Sequence, residues 1–464
     1  MRRVVLAFAL LAAAALVCPA YADEIKDIVV DGNTKTTSDT VQLIARIDTG
    51  DDWNNAMVDV IKQRLRSSGL FSEVEVFYEP APTGGIRVHI NVKDKHSWII
   101  APAFYNQPTN IGGGVGYGEN NLFGEDQKLL LYGQIATGDS FFVGAWVIPN
   151  LGGTRFYAQL DTYLDSSRVI EYAAPTKWIE DPIAVRQSRM NYLDGGVKLG
   201  YEFFRGIKLD TRIRAAHVGY EDVKMCSDTS VPGVATEASC VHGQSATLAD
   251  LGPNGLVAPG SSGWDISNEW MFTIDRRASW EGVSTGTRLV FDYEYGVTQL
   301  GSAFDYNRLA VQLYKGWQVL DHHNFVLKLG VNAGHDLPFQ QEITMGGTSM
   351  RGWLNNQFRG DFQGLGNVEY SFPLFTVYGL SVRGLGFWDS GYTTFRTTSP
   401  DRDYLPNYSH TDSDVSALAG FKNSVGFGTR LLMRQIVIPL LGVDVGYGLE
   451  AHDWQMYLAI GLTD

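Results

Sequence analysis

The chain has 464 residues, with 37 basic and 51 acidic side chains and a formal net charge of −14. That balance argues against nucleic acid as a partner. No stretch beyond the first 22 residues approaches the roughly 18 uninterrupted apolar residues of a spanning helix, so the mature chain is either soluble or crosses a membrane as a closed barrel of strands. Glycine is frequent, 51 of 464 or about 11% against a typical 7%, and aromatics reach 12%. Helical periodicity is scarce beyond residue 95, and all three features favour the barrel.

Residues 1–22 read as a secretory leader. Arg2 and Arg3 form its charged start, Val4 to Val17 its apolar run, and Ala20-Tyr21-Ala22 a small-x-small cleavage site ahead of Asp23. Cys18 lacks the small residue that lipidation needs just before it. Removing the leader takes away two arginines and no acids, which moves the net charge from −14 to about −16. Two cysteines remain, Cys226 and Cys240.

Residues 23–95 predict a small α/β domain. Lys26 to Val30 is a short strand ended by the turn Asp31-Gly32-Asn33. Ser38 or Asp39 is placed to cap a short helix that runs through Ile44. Met57, Val60, Ile61 and Leu65 recur at helical spacing, and Gly69 ends that run. Val74 and Val76 then alternate with Glu73 and Glu75, and Ile86, Val88, Ile90 and Val92 make a second alternating strand. The order β-α-α-β-β, with VDGN near its start and SSGLFSEVEV in its middle, resembles a POTRA domain. That resemblance implies a periplasmic domain that binds unfolded clients by adding a strand to a sheet edge. The candidate edge is Ser72–Tyr78, with Val74, Val76 and Tyr78 as its apolar side chains; the bland alternative is that Glu73 and Glu75 only keep that edge soluble.

From His96 onward the chain alternates. Leu289, Phe291, Tyr293 and Tyr295 share one face while Arg288, Asp292 and Glu294 share the other, and similar patterns recur in Phe156–Leu164, Phe325–Val331 and Trp454–Leu462. Apolar outward and charged inward is the pattern of a transmembrane barrel with a wet lumen. Residues 96–464, at about 23 per strand and connection, predict about 16 antiparallel strands. The fold class is therefore mainly β: an antiparallel transmembrane β-barrel preceded by one small α/β domain. Residues 165–190, 222–265 and 396–416 are expected to be long external loops. The second holds Cys226 and Cys240, expected as a disulfide that closes a loop of about 15 residues, worth about 3 kcal/mol in the loop-entropy model.

Residues 345–391 carry the most specific signal. Glycines surround one arginine in Met350-Arg351-Gly352-Trp353, and a following strand carries Phe387-Trp388-Asp389-Ser390-Gly391. The pair is similar to the (V/I)RG(F/Y) loop motif and the (F/G)xDxG strand motif of the outer-membrane barrel superfamily that includes BamA, TamA and the two-partner-secretion transporters. Met350 and Trp353 depart conservatively from that pattern. The resemblance implies that the loop folds into the lumen and that Arg351 bonds Asp389. It extends to Gly116–Gly124, Asp275–Arg277 with Gly282 and Gly286, and Gly442–Gly446. The C-terminal Ile460-Gly461-Leu462-Thr463-Asp464 departs from it, since family barrels usually end in an aromatic residue.

No GxSxG, HExxH or CxxC occurs, and the nine histidines are scattered. No enzyme activity, cofactor or metal is expected. The resemblance implies insertion or export of client polypeptides at the bacterial outer membrane. It further implies a weak seam between the first and last strands, Ser97–Tyr105 and Trp454–Leu462, where Pro102 lacks a ladder donor. Expected partners are unfolded outer-membrane or exported polypeptides, the lipid bilayer and periplasmic accessory proteins. A dedicated secretion transporter and a passive pore remain as alternatives.

Overall fold

The computed structural model describes residues 23–460 apart from 83, 108–109, 173–183, 205, 226–257, 281, 378–379, 397–419 and 434–438. The expected leader, the expected Cys226–Cys240 disulfide and the C-terminal 461–464 lie outside the described residues. Two compact units result. The first holds the residues up to Trp98 together with the turn Asn120–Gln127; the second holds the remainder.

In the first unit the elements run β1 (Asp23–Asp31), α1 (Ser38–Ala45), β2 (Asp52–Trp53), α2 (Met57–Ser67), β3 (Phe71–Pro80) and β4 (Ile86–Asp94). The sheet order is β2-β1-β4-β3. β1 and β4 pair in parallel, Ile28 with Val88 and Val30 with Ile90, and β3 joins β4 antiparallel. The two-residue β2 is an addition to the pattern expected from sequence; it pairs with the start of β1, too short to leave any periodicity. The cap of α1 is Thr37 rather than Ser38 or Asp39, because Thr37 Oγ1 accepts the Thr40 amide at 3.2 Å. Ile25, Val41, Ile61, Leu65, Val76, Val88 and Ile90 close a single apolar core between helices and sheet.

The second unit is an antiparallel barrel of sixteen strands. They are β5 (Trp98–Gln107), β6 (Asn110–Leu122), β7 (Gln127–Ala136), β8 (Asp139–Ile148), β9 (Phe156–Tyr172), β10 (Ala184–Phe204), β11 (Ile207–Met225) and β12 (Gly263–Asp275). The ring continues with β13 (Ala278–Trp280), which completes β12 beyond a break at Arg276–Arg277, then β14 (Val283–Gly296), β15 (Asn307–Leu320) and β16 (His323–His335). After an inserted hairpin, β17 (Ile343–Met345) with β18 (Phe358–Gly360), it finishes with β19 (Phe362–Val377), β20 (Leu380–Thr394), β21 (Lys422–Met433), β22 (Pro439–Gly448) and β23 (Asp453–Ile460).

Alternation decides which side chains face outward. Phe291, Tyr293, Trp388, Phe427, Trp454 and Met456 are exposed on the outer face, whereas Glu294, Phe387, Asp389, Asp444 and Tyr457 are buried on the inner one. Two expected loops are partly strand. β9 runs on to Tyr172 and β10 starts at Ala184, so 165–172 and 184–190 continue the ladder, with Asp165 opposite Tyr192. β11 likewise extends to Met225. Among the described residues the ring closes between β23 and β5 through the pairs Leu458–Asn106, Ala459–Tyr105 and Ile460–Phe104, whereas β22 and β23 share eight.

Candidate functional site

The chain between β16 and β19 folds inward instead of running over the surface. Ile343 to Met345 pairs with Phe358 to Gly360, a three-rung hairpin that carries the tip 346–357. Left-handed backbone at Gly346, Gly347 and Gly352 turns the tip back on itself. Met345, Met350 and Trp353 form a buried apolar cluster, with Phe358, Leu365 and Ala451 against it. Trp353 meets Phe358 edge-on at 5.2 Å.

Arg351 is the polar centre of that tip. Its Nε donates to Asp389 Oδ2 at 2.9 Å and its Nη2 to Asp389 Oδ1 at 2.8 Å, a two-pronged pair, while its backbone N–H donates to the same Oδ2 at 3.1 Å. Asp389 is wholly buried. Two more carboxylates face the guanidinium, Glu369 of β19 at 2.8 Å and Asp444 of β22 at 3.5 Å, and the Phe387 ring lies 3.5 Å beneath it. Arg430 binds Asp444 with two bonds of 2.7 and 2.8 Å, and Lys328 stands 3.9 Å from Glu369. Three cations thus face three carboxylates, a balanced set in a place where an unmatched charge is costly. Burial works against the Arg351 charge, but the Asp389 hydrogen bonds and the surrounding carboxylates outweigh it and raise its pKa.

The backbone of the tip packs directly on the wall. Tyr457 of β23 accepts from Gly352 N at 3.1 Å and donates to the Trp353 carbonyl at 2.7 Å. A Cβ at Gly352 would stand 2.8 Å from Gly448 N, and one at Gly446 would stand 2.6 Å from Gly352 N. Gly391 serves the same end on β20, where a Cβ would meet Met345 Sδ at 2.4 Å and Met350 Sδ at 3.2 Å. Close approach of loop and strand backbones requires glycine at 352 and 446, whereas Gly391 makes room for the two methionine side chains.

The structure therefore brings Met350, Arg351, Gly352 and Trp353 together with Phe387, Asp389 and Gly391. Sequence reading did not assign Glu369, Asp444 or Tyr457 to this centre. The two acids stand at inward positions of alternating strands, which is the signal that would have nominated them; Tyr457 carried none beyond its parity in β23. Val74 and Val76 point into the core of the first unit, so their side chains are unavailable to a partner. What β3 offers on its outer side is main chain, since β4 is its one neighbour in the sheet. Tyr78 is exposed and lies 5.2 Å from the Trp53 ring. Among the described residues no group of His, Cys, Asp and Glu is arranged to hold a metal ion.

Comparison with known proteins adds three findings. A family profile described as the Omp85 superfamily domain matches residues 121–450, and one described as a surface antigen variable number repeat, the POTRA family, matches 24–95. A search of curated proteins finds no match. Among solved structures, BamA from Haemophilus ducreyi lacking POTRA domains 1–3 is similar at 12% identity and a TM-score of 0.62, covering 94% of this chain and 84% of that one. CdiB from Acinetobacter baumannii is similar at 14% identity and 0.61, covering 95% and 74%. CdiB from Escherichia coli is similar at 12% and 0.56, covering 96% and 92%. At these identities the likeness is one of fold.

Proposed function

The chain belongs to the Omp85 superfamily, and on that premise we propose that it passes unfolded polypeptides into or across the outer membrane, parting its barrel wall between β23 and β5. The barrel lies in the outer membrane and the POTRA domain in the periplasm; the protein is an insertion or secretion factor.

The observation that carries the finer reading is the closing junction, with its three described residue pairs. A backbone group left unpaired in hydrocarbon costs several kcal/mol, so a junction that is not sealed along its length is the cheapest place to part. The freed edges of β5 and β23 then hold donors and acceptors that a client strand can satisfy. The outer main chain of β3 offers a second edge for the same kind of strand addition. The outward Trp454 and Met456 keep β23 compatible with lipid while it does so.

Photocrosslinking in cells tests this. A photoreactive residue at Glu75, on the solvent face of β3, and another at Met456, outward on β23, would each be followed by identification of the adducts. Nascent outer-membrane barrels captured at both positions support insertion through the seam. One soluble exported protein at both positions makes the chain a dedicated secretion transporter. No polypeptide at either position, with steady conductance in planar bilayers, overturns the reading in favour of a passive pore.

A further inference from the structure

The inserted loop touches the wall at a second place, which its motif does not announce. Ahead of β17 the short turn Phe339–Gln341 forms a shoulder in which Phe339, Gln341 and the following Glu342 are buried. Arg359 of β18 fixes that shoulder to the hairpin. Its guanidinium lies 3.9 Å from the Phe339 ring centre, and it donates to Glu342 Oε2 and to the Phe339 carbonyl, both at 2.8 Å.

Side chains of β11 and β12 receive the shoulder. The Tyr220 hydroxyl donates to Gln340 Oε1 at 3.0 Å, and its ring meets Phe339 edge-on. Asp265, wholly buried on β12, accepts from Gln341 Nε2 at 3.0 Å and from Gln340 Nε2 at 3.3 Å. Behind it the wall is already satisfied. Arg214 stands 2.7 Å from Glu294 and 3.5 Å from Asp265, and donates to the Tyr306 hydroxyl at 2.9 Å. That hydroxyl lies 3.1 Å from Asp265 Oδ1, and Arg308 reaches Glu294 at 3.1 Å.

Topology sets the two contacts far apart. In the ring of sixteen, β11 and β22 are eight strands apart, as are β12 and β23, so each pair is diametrically opposed. The tip holds β19, β20, β22 and β23, including one strand of the closing junction. The shoulder holds none of these.

We propose that the loop is a strut with two independent feet, and that the shoulder foot, centred on Asp265 as a positioning residue, keeps the loop inside the barrel when the tip lets go. The inference rests on the seam reading above. Parting β23 from β5 displaces Tyr457 and so loosens the tip, whereas Tyr220, Asp265, Gln340 and Gln341 keep their partners. The loop then swings about its shoulder and returns when the seam closes.

A shoulder disulfide in the resting, full-length protein tests the strut without any client. A Cβ at Gly260 would lie 2.9 Å from Phe339 Cβ, so Gly260→Cys with Phe339→Cys needs only a small shift to bond, in a Cys226→Ser, Cys240→Ser background. With Arg351→Ala added, the disulfide yield is expected to stay within about twofold, as for uncoupled sites. A yield falling about tenfold overturns the proposal. Single-channel conductance supplies a second arm. Gln340→Ala with Gln341→Ala, added to Arg351→Ala, leaves the wall network whole and is expected to raise conductance several-fold above Arg351→Ala alone. Equal conductance overturns the proposal. Neither readout depends on capture at Met456, so failure of the strut and failure of the seam reading are told apart.

Discussion

The two feet of the inserted loop solve the same problem with opposite chemistry. At the tip the loop brings a charge into the wall: Arg351 is the cation about which Asp389, Glu369 and Asp444 gather. At the shoulder it brings amides to a wall whose charges are already matched, Asp265 and Glu294 against Arg214 and Arg308. Removing the loop's contribution therefore has unequal consequences. The first contact leaves buried carboxylates short of a partner, and the second leaves a carboxylate with its tyrosine and arginine still in place. A contact in which each side completes the other's charge is strong and brittle, whereas one between satisfied partners is weaker and can be remade.

The largest expected effect follows from that brittleness. Arg351→Ala leaves Asp389 wholly buried without its fork and should cost about 3–5 kcal/mol, the usual result of half-breaking a buried pair. The measurement is the temperature at which the barrel loses its compact mobility on a gel, which should fall. Exchanging the charges, Arg351→Asp with Asp389→Arg, is expected to fail as a rescue. The new carboxylate would face Glu369 and Asp444, and like charges at that range repel. A swapped protein as stable as the parent would reduce the centre to a simple pair and remove the three-carboxylate account.

Much of the tip was legible in sequence and almost none of the shoulder was. Arg351 and Asp389 stand in two motifs whose glycines have jobs, Gly352 in close backbone contact and Gly391 in leaving room for Met345 and Met350, and such demands leave a local pattern. Barrel strands were legible for a similar reason, since one face is apolar and exposed and the other is turned inward and polar, as Trp388 beside Asp389 illustrates. Gln340, Gln341 and Tyr220 need no special backbone and no fixed spacing. Their meeting depends on how 120 residues of ring curve round, which periodicity does not encode. The additional β2 was missed because two residues carry no period, and the extended ends of β9 and β10 because the polar run Asp165–Arg168 and the polar-flanked Arg189–Asn191 resemble a loop.

Glycine substitutions probe the tip by sterics alone. Gly352→Ala places a Cβ 2.8 Å from Gly448 N at a positive φ, so the loop must withdraw or strain, at about 1–3 kcal/mol. Gly446→Ala attacks the same contact from the wall side, 2.6 Å from Gly352 N. Both should lower the gel transition by less than Arg351→Ala, and the two together by less than their sum, because the first already opens the gap that the second needs. Full additivity would mean that the two glycines serve separate contacts. At the shoulder, Gln341→Ala removes one bond from a carboxylate that keeps others and should cost about 1 kcal/mol.

The smallest effect lies in the POTRA domain, where a carboxylate does in water what Asp389 does in the barrel. Asp94 accepts the amides of Thr34 and Lys35, both at 2.7 Å, and that of Thr36 at 3.3 Å, pinning the turn ahead of α1. Partial burial pushes its pKa up, but the bonds from Lys35, Thr36 and Thr34 outweigh that and hold it below the usual carboxylate value. Because the folded pKa is the lower one, the stabilisation is complete above the unfolded value of about 3.9 and disappears as pH falls through the folded one. Asp94→Asn should mimic the acid form at neutral pH and, at this partly exposed site, cost about 0.5 kcal/mol. Hydrogen exchange at the Thr34, Lys35 and Thr36 amides of the full-length protein reads it directly. Those amides should lose protection while the Val88 and Ile90 amides of the sheet keep theirs. Loss spreading to the sheet would mean that the turn and the core unfold as one unit, and would set Asp94 beside Asp389 as a residue on which a whole domain depends.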